Sequence, residues 1–274
     1  MTQPKLATQA KDALSRHPTV VLLVVAAVGG LAIILGFTSC QPKAGPVPQP
    51  GPPSQISLSG WKLTIPVPNK KGTPTQIEPA YTAAPWMVAT PDGGLEFWSP
   101  TRGVTTENSD HPRTELNSLT HFRGGQEART LRASVTVLQE PEDGEGIILG
   151  QIHGAADISS VPYVMLRYQD KQLKVIVKQV QSGDEKITYP LLEDVRLGDR
   201  FDYTLSDDGA GEMTFTATRD GKTIEEQAPV PPAFVGATVR FQAGNYQQSD
   251  RPGGANDGGR VVFHSLTETA GAAP

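Results

Sequence analysis

Three short segments of this chain carry the side-chain types that proton transfer on an acidic sugar requires. They read HPRTEL, GQIHG and RFQAGNYQQ, at 111–116, 150–154 and 240–248. Arg113 offers a planar pair of donors that fits a carboxylate, and Gln151 could donate its amide to the same group. His153 could share that load or act as a base, and Tyr246 could shuttle a proton if a cation lies beside it. Such groups could support β-elimination on a uronate, in which a base removes the C5 proton and an acid protonates the departing O4.

Each segment has the composition of a β-strand, and alternate side chains of a strand point to the same face of a sheet. On this count the residues at 113, 115 and 117 share one face. Gln151 and His153 share a face while Ile152 turns into the core. The residues at 242, 244 and 246 share a face while Phe241 and Ala243 turn away. If the three strands are neighbours, these polar residues could converge on one face of a sheet.

Taken in order, the segments resemble the alginate lyases of polysaccharide lyase family seven. That family carries R-[ST]-E-[LV]-R, Q-[IV]-H and Y-F-K-A-G-x-Y-x-Q on the strands of a β-jelly roll, and here they read R-T-E-L-N, Q-I-H and R-F-Q-A-G-N-Y-Q-Q. The likeness extends through WKLTIPV, LEFWSP and RVVFHSL, at 61–67, 95–100 and 260–266. The resemblance implies a polysaccharide lyase in which tyrosine is the acid and often the base, and histidine the base for the opposite epimer. The catalytic residues it implies are Arg113, Gln151, His153 and Tyr246.

Three positions depart from the family pattern. Asn117 stands where the family has a second arginine, Arg240 where it has a tyrosine, and Gln242 where it has a substrate-facing lysine. These changes leave the substrate open between alginate and another uronic-acid polymer, such as one containing glucuronate. The resemblance implies a preference for guluronate-containing stretches, because family members with isoleucine at the position of Ile152 tend to accept them. Glu115 is expected to orient Arg113 or a neighbour. The candidate substrate-binding residues are Glu115, Asn117, Arg240, Gln242 and Gln248.

The region after residue 55 predicts one all-β domain over 56–270. Glycine and proline are frequent, at 28 and 24 of the 274 residues, as in folds with many short strands and tight turns. Alternating patterns predict strands, and hairpins are predicted around Gln169–Gln172, Asp207–Gly211 and Asp220–Gly221. About a dozen strands without intervening helices predict a sandwich of two antiparallel sheets. The family resemblance selects the β-jelly roll within that class.

Charge and spacing exclude several partners. The chain has a formal net charge of −5, and because its first 55 residues hold four of the 24 basic and one of the 29 acidic side chains, the remainder carries −8. An acidic domain argues against nucleic-acid binding, and an acidic polysaccharide needs basic groups concentrated in the groove.

His111, His121 and His264 lack metal-ligand spacing, and the acidic clusters lack a calcium-loop pattern. We therefore expect neither a metal nor another cofactor.

The first 55 residues predict a membrane anchor and a tether. After a basic tail at 1–18, the segment 19–37 has nineteen uncharged residues, enough for a helix across about 30 Å of hydrocarbon. The preceding positive charges predict a cytoplasmic N-terminus and a domain outside the cytoplasm, at the cell surface or secreted after cleavage. The proline-rich stretch 38–55 predicts a semi-rigid stalk. Cys40 ends GFTSC, which loosely resembles a lipoprotein cleavage box, so lipidation there stays open.

Two other functions stay open from the residues alone. A non-catalytic carbohydrate-binding module on the same sandwich would keep the polar face and lose turnover through the changes at Asn117 and Gln242. A glycoside hydrolase has less support, because no acidic pair occupies alternate positions of one strand in the way that retaining hydrolases of similar folds display. We expect a monomer whose partner is an anionic polysaccharide.

Overall fold

The computed structural model describes residues 44–273, which form an all-β sandwich. The predicted tail 1–18, the predicted membrane helix 19–37 and Cys40 lie outside the described residues. Within 44–273, no helix is long and apolar enough to cross a membrane. In chain order the strands are β1 (Trp61–Pro68), β2 (Pro74–Ile77), β3 (Met87–Ala89), β4 (Leu95–Pro100), β5 (Arg113–Ser118), β6 (Phe122–Arg123), β7 (Arg129–Gln139), β8 (Ile147–Gly154), β9 (Pro162–Gln169), β10 (Gln172–Lys178), β11 (Lys186–Leu192), β12 (Arg200–Asp207), β13 (Glu212–Arg219), β14 (Lys222–Pro229), β15 (Thr238–Gln247) and β16 (Gly258–Ala270). Two single 3₁₀ turns, Ala156–Ile158 and Pro232–Phe234, complete the regular structure of this region.

The strands form two antiparallel sheets. The first sheet has nine strands in the order β11-β10-β9-β8-β15-β5-β1-β2, with β6 also paired to β15. The second has seven strands in the order β14-β13-β12-β7-β16-β4-β3. In the first sheet the three strands that carry the predicted catalytic segments, β5, β15 and β8, are direct neighbours. The sheet therefore brings together segments that are more than 30 residues apart in sequence.

The core lies between the two sheets, and it explains why the polar residues face outward. Alternate residues of each strand turn inward, and burying one large apolar side chain contributes roughly 2 kcal/mol. Fully buried examples from both sheets are Phe97, Leu116, Ile152, Phe241 and Phe263. Because these residues occupy the inner face, the residues between them on β5, β8 and β15 are directed to the outer face of the first sheet.

The three predicted hairpins are confirmed. Strands β9 and β10 are joined by Asp170 and Lys171, whose φ angles of 50° and 63° suit a two-residue turn that follows the twist of the strands. Strands β13 and β14 are joined by Asp220 and Gly221, with φ angles of 53° and 75°. The longer connection after Asp207 links β12 to β13.

The described part of the proline-rich stretch, residues 44–55, lies against the domain. The backbone N–H of Gly45 donates to the carbonyl of Pro68 over 2.9 Å, and that of Gly51 donates to Thr82 over 2.8 Å. The Tyr81 hydroxyl donates to the carbonyl of Pro48 over 3.0 Å. Residues 44–55 are thus attached to the sandwich by hydrogen bonds at several points.

Candidate active site

A cavity of about 500 Å³ opens over strands β5, β15 and β8 on the outer face of the first sheet. It brings together all four predicted catalytic residues and four of the five predicted substrate-binding residues. Those that line it are Arg113, Asn117, Gln151, His153, Arg240, Gln242, Tyr246 and Gln248. The fifth, Glu115, is fully buried below them.

Strand register decides which of these side chains are neighbours. Tyr246 on β15 pairs with Arg113 on β5. Gln242 pairs with Asn117 on one side and with Gln151 on the other. Arg240 pairs with His153 on β8. Side chains that lie opposite each other on neighbouring strands have their Cβ atoms about 5 Å apart. The two residues of each of these pairs are therefore close enough to contact each other.

Arg113 and Tyr246 form a stacked pair at one end of the cavity. The guanidinium carbon of Arg113 lies 3.6 Å from the centroid of the Tyr246 ring. The Tyr246 hydroxyl is within 2.8 Å of the Ser109 hydroxyl. A guanidinium over an aromatic face is attracted by the ring and also stabilises negative charge on the phenolic oxygen. The arrangement supplies the cation that a tyrosine needs to move a proton.

His153 is a neutral imidazole with one nitrogen available to a ligand. Its Nδ1–H donates to the carbonyl of Gly154 over 3.0 Å, which leaves the lone pair on Nε2. Burial first, and then the charges of Arg113 and Arg240, lower the pKa of His153 to about 4 against the opposing effect of the Gly154 hydrogen bond. At neutral pH the side chain can therefore accept a proton from a substrate.

Glu115 is a fully buried carboxylate that supports the residues above it. One of its oxygens accepts from Nη1 of Arg113 over 3.3 Å, and the other accepts from Nε2 of Gln151 over 2.6 Å. Burial raises the pKa of Glu115, while Arg113 and Gln151 oppose that rise. The Glu115 carboxylate has no exposed surface in this arrangement, and its predicted contact with substrate stays a prediction. The expectation that it orients Arg113 agrees with the contacts.

A row of three amides crosses the floor of the cavity. Nε2 of Gln151 donates to Oε1 of Gln242 over 2.9 Å, and Nε2 of Gln242 donates to Oδ1 of Asn117 over 2.8 Å. Nδ2 of Asn117 donates to the Thr64 hydroxyl over 3.2 Å and to the carbonyl of Glu115 over 3.1 Å. Both hydrogens on Nε2 of Gln151 are engaged, which differs from the expectation that this amide donates to a substrate carboxylate.

Arg240 adds a second guanidinium to the cavity, close to His153. Within residues 44–273 it forms no ion pair, and its Nε is buried without a hydrogen-bond partner. Burial lowers the pKa of Arg240, and the charge of Glu115 opposes that change. The nearby Lys62 also has its pKa lowered, by burial and then by the charge of Arg240. The cavity lining thus contains two guanidiniums, those of Arg113 and Arg240, together with the side chains of Glu107 and Asp110.

Gly244 allows β15 to approach β5 closely between the two rows of side chains. Its φ is 150°, and a Cβ at this position would lie 2.6 Å from the carbonyl oxygen of Thr114 and 2.9 Å from Cα of Glu115. The pairing of β15 with β8 shifts between Ala243 and Tyr246, which marks an irregularity beside this glycine. Only glycine fits this backbone conformation without strain.

The loop between β4 and β5 supplies cavity residues that the sequence analysis missed. Ser109 contacts the Tyr246 hydroxyl, and His111, considered only as a metal ligand, lines the same cavity. Nδ1 of His111 donates to the carbonyl of Ser249 over 3.0 Å, and its ring centroid lies 6.0 Å from that of Tyr246. A loop has no side-chain periodicity, so proximity to Arg113 in sequence was the only signal for these residues.

No group of three or more His, Cys, Asp or Glu side chains in residues 44–273 could hold a metal ion. The side chains suited to the reaction are the guanidiniums of Arg113 and Arg240, the imidazole of His153 and the phenol of Tyr246. Together they can bind an anion and move a proton.

The family model described as alginate lyase matches residues 56–270. The chain belongs to the alginate lyase family. Alginate lyase A1-II′, a member of polysaccharide lyase family seven, is 27% identical over 80% of this chain and 97% of its own, with a TM-score of 0.66. An alginate lyase from Pseudomonas aeruginosa is 26% identical over 78% of this chain and 99% of its own, with a TM-score of 0.67. No curated protein matches the sequence.

The alginate lyase family includes more distant structures with the same fold. The alginate lyase from Klebsiella pneumoniae is 21% identical over 79% of this chain and 97% of its own, with a TM-score of 0.66, which supports the fold alone. Alginate lyase A1-II′ has been solved with a substrate and with a product. The predicted family, the jelly-roll-like sandwich and the enzyme class are confirmed: this alginate lyase family member is a polysaccharide lyase.

Proposed function

We propose that this enzyme cleaves alginate, or a closely related polyuronate, by β-elimination at the 4-O-linkage. The observation that carries the proposal is the stacking of Arg113 on Tyr246 in the same cavity as the neutral imidazole of His153. The three groups correspond to the requirements of the reaction, which are a cation for the carboxylate, a base for the C5 proton and an acid for O4. The solved complexes of alginate lyase A1-II′ with oligosaccharides support this choice of substrate class.

The substrate carboxylate is assigned to the two guanidiniums. Removal of the C5 proton places negative charge on the C6 carboxylate, and preorganised donors stabilise that charge best. Arg113 is held by the buried carboxylate of Glu115, and Arg240 lies two residues along β15 from Gln242. Both arginines line the cavity, and a guanidinium carries five N–H donors, so both can donate to an incoming anion.

Proton transfer is assigned to His153 and Tyr246. Nε2 of His153, or the Tyr246 oxygen for the opposite epimer, takes the C5 proton, and the electron pair of that bond forms the C4–C5 double bond. The C4–O4 bond breaks, and the Tyr246 hydroxyl gives its proton to O4 of the departing chain. The products are one chain with a new reducing end and a second chain that carries the unsaturated uronate at its non-reducing end, so atoms and charge balance.

The setting of the enzyme is part of the proposal. The uncharged segment 19–37, preceded by Lys5, Lys11 and Arg16, favours a membrane anchor with the catalytic domain outside the cytoplasm, and Cys40 is a candidate for lipidation. An outside location matches a polymer too large to cross a membrane. We also propose that the enzyme acts as a monomer, because one chain provides every residue assigned to the site.

Ultraviolet absorbance of the unsaturated product tests the function. The purified full chain is incubated with polymannuronate, polyguluronate, mixed alginate and a glucuronate polymer, and a neutral glucan serves as the control. We expect absorbance to rise with at least one polyuronate and not with the glucan. Absence of unsaturated product from all four polyuronates would contradict the proposed activity.

A further inference from the structure

The hydroxyl of Tyr246 has one hydrogen-bond partner among residues 44–273, which is the hydroxyl of Ser109 at 2.8 Å. One face of the ring is covered by Arg113, whose guanidinium carbon lies 3.6 Å from the ring centroid. A stacked guanidinium favours negative charge on the phenol, but it lies over the ring and not beside the oxygen. The contact that decides where the Tyr246 proton points is therefore the one with Ser109.

The loop between β4 and β5 holds Ser109 in place on both sides. The backbone N–H of Ser109 donates to the carbonyl of Thr106 over 3.0 Å. Two residues further on, the backbone N–H of His111 donates to the Ser109 hydroxyl oxygen over 3.2 Å. His111 is itself fixed, because its Nδ1 donates to the carbonyl of Ser249 over 3.0 Å. These contacts hold the Ser109 oxygen beside Tyr246 without help from a substrate.

The proton of the Ser109 hydroxyl can point to either of two acceptors. One is the carbonyl oxygen of His111 at 3.1 Å, and the other is the Tyr246 oxygen at 2.8 Å. A hydroxyl carries one proton and two lone pairs. When the Ser109 proton points to the His111 carbonyl, the Ser109 oxygen can accept from the phenol. When it points to Tyr246, the phenol proton is free to point elsewhere.

These two arrangements match the two states through which an acid passes. Before the reaction the phenol carries its proton, which can be donated to the Ser109 oxygen. To protonate O4, the phenol must direct this proton at the substrate, and the phenolate that remains needs a donor. Ser109 meets both needs by turning its own proton from His111 to Tyr246. No proton leaves Ser109, so the proton balance of the elimination is unchanged.

We propose that Ser109 is a positioning residue for the acid step, which directs the Tyr246 proton at O4 and stabilises the phenolate after the transfer. A carboxylate at this position could only accept hydrogen bonds and an ammonium group could only donate them, so neither would serve both states. A hydroxyl serves both without adding a charge to the cavity. The inference rests on the proposed function and names a further residue on which its acid step depends.

Removing the hydroxyl should slow the chemical step and leave substrate binding unchanged. The full-length enzyme and its Ser109→Ala variant are compared on the preferred polyuronate. We expect kcat to fall about tenfold, the effect of losing one hydrogen bond to a charged group, and KM to change less than about twofold.

Ser57→Ala is the matched control for this substitution. The Ser57 hydroxyl also accepts from the backbone N–H two residues further on, that of Ser59 over 3.4 Å, but Ser57 does not line the cavity. Its kcat should therefore equal that of the unmutated enzyme. A kcat of Ser109→Ala equal to that of this control would overturn the proposal.

Restoring a hydroxyl separates the hydrogen bond from the shape of the loop. Ser109→Thr keeps the donor and the acceptor and adds one methyl group, so its kcat should stay within about threefold of that of the unmutated enzyme. A threonine variant as slow as the alanine variant would show that the hydroxyl is not the group that matters.

A double-mutant cycle shows whether Ser109 acts through Tyr246. In Tyr246→Phe the phenolic oxygen is absent, so Ser109→Ala has no contact left to remove. We expect less than about a twofold further change in the residual kcat, measured from product accumulated over long incubations. A tenfold loss in both backgrounds would show that Ser109 acts elsewhere and would contradict the inference. Failure of the proposed function would appear differently, as no unsaturated product from any polyuronate with the unmutated enzyme.

Discussion

The guanidinium of Arg113 lies over the Tyr246 ring, with its carbon 3.6 Å from the ring centroid, while its Nη1 reaches the buried carboxylate of Glu115. Arg113 thus contacts both Tyr246, which transfers protons, and Glu115, which holds the residues of the cavity floor in place. Its planar, delocalised charge serves both contacts at once. A compact ammonium ion could make only one of them well.

Replacing Arg113 with lysine should therefore reduce activity although the charge is retained. We expect Arg113→Lys to lower kcat/KM by at least about a hundredfold, because the stacking on Tyr246 and the planar donor pair are both lost. Arg167→Lys is the matched control, since Arg167 pairs with Glu145 and does not line the cavity. Initial rates on the preferred polyuronate measure both, and equal activity of the two variants would remove Arg113 from its assigned role.

The Tyr246 hydroxyl is expected to be essential for turnover and nearly dispensable for binding. Tyr246→Phe keeps the ring under Arg113 and removes the group that transfers the proton, so kcat should fall by about a hundredfold or more. The dissociation constant for an oligouronate should change by less than about threefold. Ser109→Ala, which removes only the 2.8 Å contact to the hydroxyl, should cost much less in kcat. Wild-type kcat in Tyr246→Phe would exclude this residue as the acid.

His153 is expected to set the acid limit of the reaction. Because burial and the nearby charges of Arg113 and Arg240 lower its pKa to about 4, kcat/KM on substrates that use this base should stay high down to roughly that pH and fall below it. Arg240→Gln should move this limit to higher pH, because one of the charges that lower the pKa is removed. A pH profile of kcat/KM for the two enzymes provides the measurement, and an unchanged limit would contradict the electrostatic link.

The same pKa makes folding stability depend on pH in a defined window. In the unfolded chain a histidine titrates near 6.5, whereas His153 in the folded protein titrates near 4. Between these values the unfolded state binds a proton that the folded state does not, so His153 makes stability rise with pH, by on the order of 3 kcal/mol across the window. His153→Gln should flatten the curve of unfolding free energy between pH 4 and 6.5, and His264→Gln, outside the cavity, should not.

The alternation of side chains along each strand was enough to predict which residues share the catalytic face. The reason is that the core residues Ile152 and Phe241 turn inward, so their neighbours turn outward. Adjacency of β5, β15 and β8 came from the family resemblance, since pairing between distant strands has no local signal. The direction of the Gln151 amide could not be predicted, as it depends on contacts among three strands. Ser109 and His111 were missed because loop residues follow no period. The net charge of the domain was also a poor guide to its substrate, because Arg113 and Arg240 act within the cavity.

Arg240 is expected to contribute to binding of the anionic chain more than to the chemical step. Arg240→Gln should raise KM by about tenfold, the size of one charge-assisted hydrogen bond, with a smaller change in kcat at neutral pH. It should also weaken the dependence of KM on ionic strength, because a cation in the cavity is lost. Arg123→Gln is the control, since Arg123 is exposed and donates to the carbonyl of Gly236 away from the cavity. A KM equal to that of the control would rule out a role for Arg240 in binding.

Gly244 is expected to be a structural requirement of the site, because its φ of 150° and the 2.6 Å approach to the Thr114 carbonyl leave no room for a Cβ. Gly244→Ala should lower the free energy of unfolding by about 2 kcal/mol or more, as strained backbone and a close contact are both introduced. Gly254→Ala is the control, since nothing lies within 4 Å of a Cβ there. Chemical denaturation measures both variants. Activity should fall in Gly244→Ala even at temperatures where it stays folded, because the glycine lies on β15 between Gln242 and Tyr246, and a shift of this strand would separate Arg113 from the Tyr246 ring.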